Sequence, residues 1–583
     1  MLFLLKLGAK INTLTPSIVY STLSSNAMKK YLYLLVLLIV SHVAFTQNCG
    51  CDHTISQSGI VKADDYNYKP GDVFCITAGK YGFFRFIGFE GTKNNPLIFK
   101  NCGGKVVIDD DKYAGIEFQH SKYIRLTGNG TSSITYGIKI NSSPTLGVSM
   151  NNLSTDFEVR FIEITGLGFA GIMAKTDPTC TDSSGFQGKF LLENLNFHHN
   201  YIHDINGEGF YVGYTGNYEE GKTNACPDKI LFGHDVQHVK IHHNKLVNIG
   251  WDGIQVSLGT EDVEVYDNYL ENPGKNDEPV QNSGIQFGSG TVGKIYNNTI
   301  IGGTNNGITN FGLGPVYIYN NLIVNAGARG IYNDHQKSLP PGNGYYIANN
   351  TIISPKTHGI FYINGVNLLE SPFECYNNLI VNPGVFDQIA SLPSHWSVAS
   401  IHAYVGYNTE TLYLAHKSGL KKNHFVRNIN NPKFIDASND DYNLASNSPV
   451  IDGGTNQAKT LLGFDTDITG YTRKGNFDIG AYEFRDELSA AEDDIHFSKN
   501  ISLFPNPISH NEDCFLKLED INSGKYTISL VPLDGKEEII LHQNLSLKSG
   551  NQKINLGSKL SPGVYLVKVV GDGFFQTLKL QIL

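Results

Sequence analysis

The stretch IYNNTIIGGTNNGIT, residues 295–309, carries a skeleton that returns in altered form from Phe157 to Asn382. An apolar residue is followed by two polar or aromatic positions, an Asn, one spacer and an aliphatic residue. A Gly before a large apolar residue comes later. The Asn-to-Gly distance is nine residues at Asn200–Gly209, Asn244–Gly253, Asn298–Gly307, Asn321–Gly330 and Asn350–Gly359. Five equal spacings mark a chain that repeats one structural coil.

Read as columns, the repeat has a physical sense. Three residues before each Asn stands Phe197, Ile241, Val265, Ile295, Ile318, Ile347 or Cys375, and two after it Ile202, Leu246, Leu270, Ile300, Ile323, Ile352 or Ile380. These apolar columns face inward. The two positions before the Asn are polar or amphipathic: His198-His199, His242-His243, Tyr266-Asp267, Tyr296-Asn297, Tyr319-Asn320, Ala348-Asn349 and Tyr376-Asn377. The Asn series runs 200, 244, 268, 298, 321, 350, 378, so the shortest step sets a coil of about 23 residues and the excess falls in loops. Short strands stacked at the β spacing place like on like, and the Asn column then forms a buried amide ladder. The Gly is expected to let the backbone turn sharply. This pattern resembles the right-handed parallel β-helix of the pectate-lyase-like superfold over roughly residues 60–484. The resemblance implies an all-β solenoid.

The ends read differently. Met28-Lys29-Lys30, an apolar run from Tyr31 to Phe45, and Thr46-Gln47 have the order of a signal peptide, which puts the functional start at Met28 and makes 1–47 an upstream extension plus signal. Residues 48–112 are expected to form an N-terminal cap and first coils, and 113–484 the β-helix with a closing cap built from NPKFIDASNDDYNLASNSPVIDGGT and DTDITGYTRKGNFDIGAYEF. Arg473, Asp465, Asp467, Asp478 and Glu483 are assigned to that cap. Cys75 and Cys102 are expected to bridge adjacent coils, Cys49 and Cys51 to help close the entry, and Cys180 and Cys226 to join two loop insertions. Cys375 and Cys514 read as buried thiols. Residues 485–500 read as a linker, and 501–583 as a small β-sandwich of about seven strands. LFPNP, Gly524-Lys525-Tyr526, LDGK and Ser561-Pro562-Gly563-Val564-Tyr565-Leu566-Val567 resemble the type IX (Por) secretion C-terminal sorting domain. That resemblance implies use of the type IX secretion machinery and release or attachment at the outer cell surface.

The totals narrow the function. A net charge of −10 gives no support for nucleic-acid binding, and the apolar run is short for a membrane anchor in the mature chain. There is no Gly-rich nucleotide loop before a helix and no Ser-centred elbow. The strand after each repeat Gly carries Tyr211, Gln255, Gln286, Thr309, Tyr332 and Phe361 two residues on, and Glu208, Asp252, Ser283, Asn306, Arg329 and His358 stand just before it. A face rich in hydrogen-bonding and aromatic groups suits a polysaccharide or surface glycan, whose hydroxyls need partners and whose ring faces need apolar cover. Tyr211, Gln255, Gln286 and Tyr332 are the substrate-binding candidates.

Glu208 and Asp252 share one column on successive coils, which places their carboxylates roughly 5–7 Å apart. Such a pair can divide acid and base or nucleophile roles in glycoside hydrolysis, or hold calcium for β-elimination. Lys245, His243 or Tyr211 would serve a lyase as base, and Arg329 would neutralise a substrate carboxylate. The catalytic candidates are thus Glu208, Asp252, Lys245 and Arg329, with calcium as the candidate cofactor. The acidic cluster Ile108–Asp111 is a second place for calcium, though a solvated turn explains it too. His198-His199 and His242-His243 could ligate a transition metal, but neighbours on a strand point to opposite faces, so no metal site is assigned. The reading is a secreted β-helix protein acting on polysaccharide as lyase or glycoside hydrolase. The alternative is a non-catalytic adhesin or glycan-binding protein.

Overall fold

The structure, a computed structural model, describes residues 49–109, 114–131, 134–141, 145–222, 226–334, 343–363, 372–384, 403–407 and 409–485, and seven strands within 501–582. The signal-peptide reading, the start at Met28, Asp110 and Asp111 of the acidic cluster, the linker and the side chain of Cys514 lie outside the described residues. Three parallel ladders run along the solenoid. A first sheet holds the strands before each Asn, such as Asp235–His242, Gly259–Tyr266 and Gly293–Tyr296. A second holds those after it, such as Lys245–Ile249, Tyr269–Glu271 and Thr299–Ile301. The third sheet, of 12 strands, follows the Gly column and includes Glu208–Val212, Ile254–Val256, Ile285–Phe287, Ile308–Asn310 and Ile331–Asn333.

Both apolar columns are inside. Phe197, Ile241, Val265, Ile295, Ile318, Ile347 and Cys375 are 0% exposed. Each such aliphatic side chain contributes about 1.5–3 kcal/mol by burial. The ladder is present and longer than the sequence suggests. Each Asn donates its amide to the Oδ1 of the Asn one coil on and to a carbonyl one coil back, as Asn321 does to Asn350 Oδ1 at 3.0 Å and Ile295 O at 2.9 Å. It runs from Asn200 through Asn378 to Asn423, which closes it by accepting from Asn378 at 2.9 Å. Asn423 lies in the stretch where the sequence regularity lapses, between the short strands Leu420–Lys421 and His424–Val426 that pair in register with the preceding coil.

The position before each Asn is left-handed: φ is 55° at His199, 53° at His243, 52° at Asp267, 54° at Asn297 and 53° at Asn320, Asn349 and Asn377. Asn, Asp and His tolerate that conformation best among residues with a side chain, which explains the column's composition. A second left-handed column stands four residues after the Asn, at Asp204, Asn248, Asn272, Gly302, Asn325, Ser354 and Asn382. It turns the chain off the second sheet.

The Gly column departs from expectation. These glycines are not left-handed; they are required by close approach. A Cβ on Gly253 would lie 2.5 Å from the Gly284 carbonyl and 2.5 Å from Leu270 Cδ2, and one on Gly330 2.5 Å from the Gly359 carbonyl and 2.5 Å from Ile352 Cγ2. With the Gly position turned to the core, the residue before it turns outward.

At the entry the disulfides are Cys49–Cys102 and Cys51–Cys75, not Cys75–Cys102, so the incoming segment is stapled to both first coils. Cys180–Cys226 joins the two insertions as expected. The helix Glu410–His416, capped by Thr409 Oγ1 accepting from the Leu412 amide at 3.2 Å, inserts Leu412 into the main core. The segment expected as the closing cap lies instead along the side. Tyr442, Leu444, Val450 and Ile479 pack on Leu322, Val324, Ile353, Leu379 and Val381, the outer face of the second sheet. Within 501–582 a three-stranded and a four-stranded antiparallel sheet share a core of Leu516, Tyr526, Ile528, Leu530, Tyr565, Val567, Val569 and Leu580, a small sandwich.

Candidate functional site

The column before the Gly and the column two residues after it share the outer face of the third sheet. Between them lies a cavity of about 320 Å³ lined by Ser283, Gln286, Asn306, Thr309, Arg329, Tyr332 and Asp334, with Val280, Asn305 and Phe311 at its margins. Successive coils knit its floor. Ser283 Oγ and Thr309 Oγ1 are 2.7 Å apart, Asn306 Nδ2 donates to Thr309 Oγ1 at 3.0 Å, and Asn306 Oδ1 accepts from the Arg329 amide at 3.2 Å. Arg329 has its guanidinium 4.8 Å from the Tyr332 ring centroid and 5.0 Å from that of Phe361. Its Nε is buried and has no hydrogen-bond partner among the described residues. Tyr332 donates to Asp334 Oδ2 at 3.1 Å. Burial lowers the Arg329 pKa somewhat, which leaves it a cation at any ordinary pH.

Of the residues singled out from sequence, Arg329, Gln286 and Tyr332 line this cavity. Tyr211 and Gln255 belong to the same column but are covered, at 7% and 0% exposure. The loop after Val212 crosses the sheet there. Tyr211 Oη and Gln255 Nε2 both meet Thr215 Oγ1, at 2.7 and 2.9 Å, and the Tyr218 amide donates to Ser289 Oγ at 3.0 Å. The two insertions therefore roof the third sheet rather than flank an open groove, tied by Cys180–Cys226 and by the Thr176 amide donating to His234 Nε2 at 3.1 Å. Gln286, whose Nε2 donates to Gln255 Oε1 at 3.2 Å, is buried too but lines the cavity, beside the half-buried Arg329 and Tyr332.

Glu208 and Asp252 are both 0% exposed. Asp252 Oδ1 accepts from the Ser283 amide at 2.7 Å, while Asp252 Oδ2 and both Glu208 carboxyl oxygens have no partner among the described residues. Burial pushes Asp252 up to about 8. Burial, then the Asp252 carboxylate, push Glu208 well above the usual range, against the pull of Lys175. Asp252 is thereby largely protonated at neutral pH, and burial pushes Glu208 in the same direction. The three carboxyl oxygens without a partner among the described residues are unspent hydrogen-bonding capacity at the centre of the roofed part of the sheet. Lys245 stands apart from both groups. It is the exposed first residue of a second-sheet strand, over the Tyr201 ring at 5.2 Å.

Asp334, Asn305 and Phe311 were missed by sequence reading. Asp334 and Phe311 follow the third-sheet strands by one residue, just past the last position the repeat constrains.

Residues 229–400 match the family model for a right handed beta helix region, and 502–582 that for a secretion system C-terminal sorting domain. The chain is a right-handed parallel β-helix protein with a type IX sorting domain, which marks it for the cell surface or the exterior. No helix among the described residues is long and apolar enough to cross a membrane. No curated protein matches the chain. Similar solved structures include a GH136 lacto-N-biosidase from Eubacterium ramulus (11% identity, 62% of this chain and 62% of that chain, TM-score 0.36). A PL6 family alginate lyase matches at 14% identity over 63% of this chain and 51% of that one, TM-score 0.33. A periplasmic alginate epimerase matches at 11% over 64% and 84%, TM-score 0.26. The chain thus spans less than two thirds of the first two of these proteins.

Proposed function

We propose that the protein acts at the cell surface on an anionic polysaccharide laid along the third sheet, with Arg329 pairing a sugar carboxylate. The observation that carries this reading is the guanidinium itself. It is partly desolvated, set against two aromatic rings, and left with an unused Nε–H beside a cavity floored by Ser283, Gln286, Asn306 and Thr309. A uronate carboxylate offers the bidentate acceptor that a fork of N–H donors fits. Gln286 and the floor hydroxyls are placed to meet sugar hydroxyls, and Tyr332 to meet a ring face. Asp252, with its pKa raised to about 8, and Glu208, shifted the same way by burial, stand one to two coils from the cavity and are the candidate proton donors to a leaving oxygen. The complete cover over both acids favours a second reading, a glycan-binding protein without turnover.

The test uses a panel of uronate-containing and neutral glycans. Retention of a uronate polymer should weaken roughly 10- to 100-fold in Arg329→Met, the worth of a charge-assisted hydrogen bond pair. Arg329→Lys should recover only part of it. New unsaturated or reducing ends that vanish in Asp252→Asn establish the enzyme. Binding with no product supports the second reading. Equal retention of neutral and acidic polymers by wild type and Arg329→Met would refute the carboxylate assignment.

A further inference from the structure

Two residues before the repeat Gly, at the corner that leads into the third sheet, stand Phe169, Gly207, Trp251, Asn282, Asn305 and Ala328 on successive coils. Backbone bonds stack them: the Trp251 amide donates to Gly207 O at 2.9 Å and the Ala328 amide to Asn305 O at 2.8 Å. Most of this column is small or polar. Phe169 and Trp251 are the exceptions, and both are half-buried rather than covered.

Their meeting depends on Gly207. Phe169 and Trp251 lie two coils apart, about 9.6 Å along the stack. Their ring centroids are nevertheless 5.6 Å apart, at 77°. The rings therefore lean together over the coil between them. That coil carries no side chain to hold them apart, since a Cβ on Gly207 would lie 1.6 Å from the Phe169 carbonyl. Phe169 also meets Tyr211 edge to face at 5.8 Å, and Leu146 packs into the same small cluster with Ala170 and Met173. An edge-to-face contact uses the face of only one of its two rings, and the half-buried state of both leaves apolar area in water.

The place of this patch is as informative as its make-up. Gly207 is followed directly by Glu208 and Trp251 by Asp252, so the rings flank the two buried acids. On the other flank the loop through Thr215 covers Tyr211 and Gln255. A chain that runs along the third sheet is thus displaced by the roof toward the corner. The column leads there from the cavity: Asn305, at the cavity margin, donates through Nδ2 to Asn282 Oδ1 at 2.6 Å, and Trp251 stands on the next coil.

We propose that Phe169 and Trp251 form a sugar-ring platform, a second subsite for the polysaccharide whose carboxylate pairs with Arg329; the assignment rests on the polysaccharide reading of the third sheet. The group that fits is a pyranose, whose C–H face is apolar and lies on an aromatic ring while its hydroxyl rim stays in water. No charge is asked for here, so platform and cavity read different features of one chain. Trp251 and Arg329 are three coils apart, about 14 Å. An extended pyranose chain advances by close to one coil spacing per residue. A disaccharide anchored at Arg329 therefore falls short of Trp251, and a hexasaccharide reaches Phe169.

The test compares lengths. Trp251→Asn gives the column the residue it already holds at Asn282 and Asn305. The full chain is titrated calorimetrically with di- and hexasaccharides of galacturonic and of mannuronic acid. Trp251→Asn should weaken hexasaccharide binding roughly 10-fold and leave the disaccharide unchanged, and Trp251→Phe should keep most of the affinity. Arg329→Met should weaken both lengths, so a failure of the carboxylate pairing shows in that variant and not in the comparison of lengths. Tryptophan emission supplies a readout with the platform intact. In Trp396→Phe the one remaining tryptophan is Trp251, and the hexasaccharide but not the disaccharide should shift its emission. Equal hexasaccharide binding by wild type and Trp251→Asn, with unmoved emission, would overturn the platform and leave the two rings as a cover for Glu208. So would a loss of the same size at both lengths, which would place the effect of Trp251→Asn at the Arg329 end.

Discussion

Asp252 is a carboxylic acid in a place that charges cannot easily occupy. Its unfolded pKa is near 3.8 and burial raises the folded one to about 8. Between those values the folded state holds a proton that the unfolded state has released. The stabilisation is fully present below pH 4, declines as pH rises, and is exhausted above about 8; Glu208 adds in the same direction. The wild type should therefore lose a few kcal/mol of resistance to denaturant between pH 5 and pH 8, at about 1.4 kcal/mol for each pKa unit of displacement. Asp252→Asn keeps an acceptor for the Ser283 amide and should flatten that slope. Urea midpoints of both proteins at the two pH values check this, and parallel slopes would mean that Asp252 titrates normally. Sequence periodicity placed Glu208 and Asp252 in one column with Ser283 and Arg329, and Tyr211 and Gln255 in a second with Gln286 and Tyr332. It could not reveal that the loop through Thr215 covers Tyr211 and Gln255 while Arg329 and Tyr332 stay half-buried. A repeat constrains only the residues that repeat, and the roof is made of those that do not.

The Asn ladder is the element the sequence declared most openly, because a buried amide with partners on both sides tolerates no substitute. Asn321 donates to Ile295 O, Tyr319 O and Asn350 Oδ1, and its own oxygen accepts from the Asn298 amide and side chain. Asn321→Ala strands several of those groups at 0% exposure and should cost on the order of 3–5 kcal/mol, each orphaned group being worth about 1–3. Asn423→Ala, at the half-buried last rung, should cost about half as much. Thermal unfolding of the two variants measures the difference. A tolerant Asn321→Ala would show that the ladder is a consequence of stacking and not a support for it. The left-handed columns beside the ladder were harder to see. His, Asp and Asn alternate at one, and Asp, Asn, Gly and Ser at the other. Their shared property is tolerance of positive φ, not hydropathy, so a reading by polarity filed them as merely polar. The same reading took the Gly column for turns, when its glycines mark where successive coils come too close for a Cβ.

For the whole molecule, the question is what holds a stack of coils in which each contacts only its neighbours. The segment from Phe434 to Phe484 answers part of it by spanning coils rather than ending them. Asn349 Nδ2 donates to Asp478 O at 2.9 Å and Asn377 Nδ2 to Thr455 O at 2.8 Å, while Phe464 continues the ring stack of Tyr266, Tyr296 and Tyr319 at 4.4 Å from the last. Its centre is Arg473, whose side chain is 0% exposed and donates to Asn320 Oδ1, Gly480 O, Ala481 O and Glu483 Oε2 at 2.9–3.2 Å. Without the guanidinium, Glu483 would be a buried acid facing Asp478, and burial with that neighbour already lifts it to about 7. Arg473→Met should therefore cost about 3–5 kcal/mol, the price of breaking a buried pair, and should do so locally. Limited proteolysis should open the chain between 427 and 475, while amide exchange around Asn200 and Asn244, far from the hydrogen bonds that Asn320, Asn349 and Asn377 make to the segment, stays slow. Adding Glu483→Gln should restore part of the protection by removing the stranded charge. If exchange accelerated equally along the whole ladder, the solenoid would be one cooperative unit, and the segment would be a part of its core rather than a strap across it.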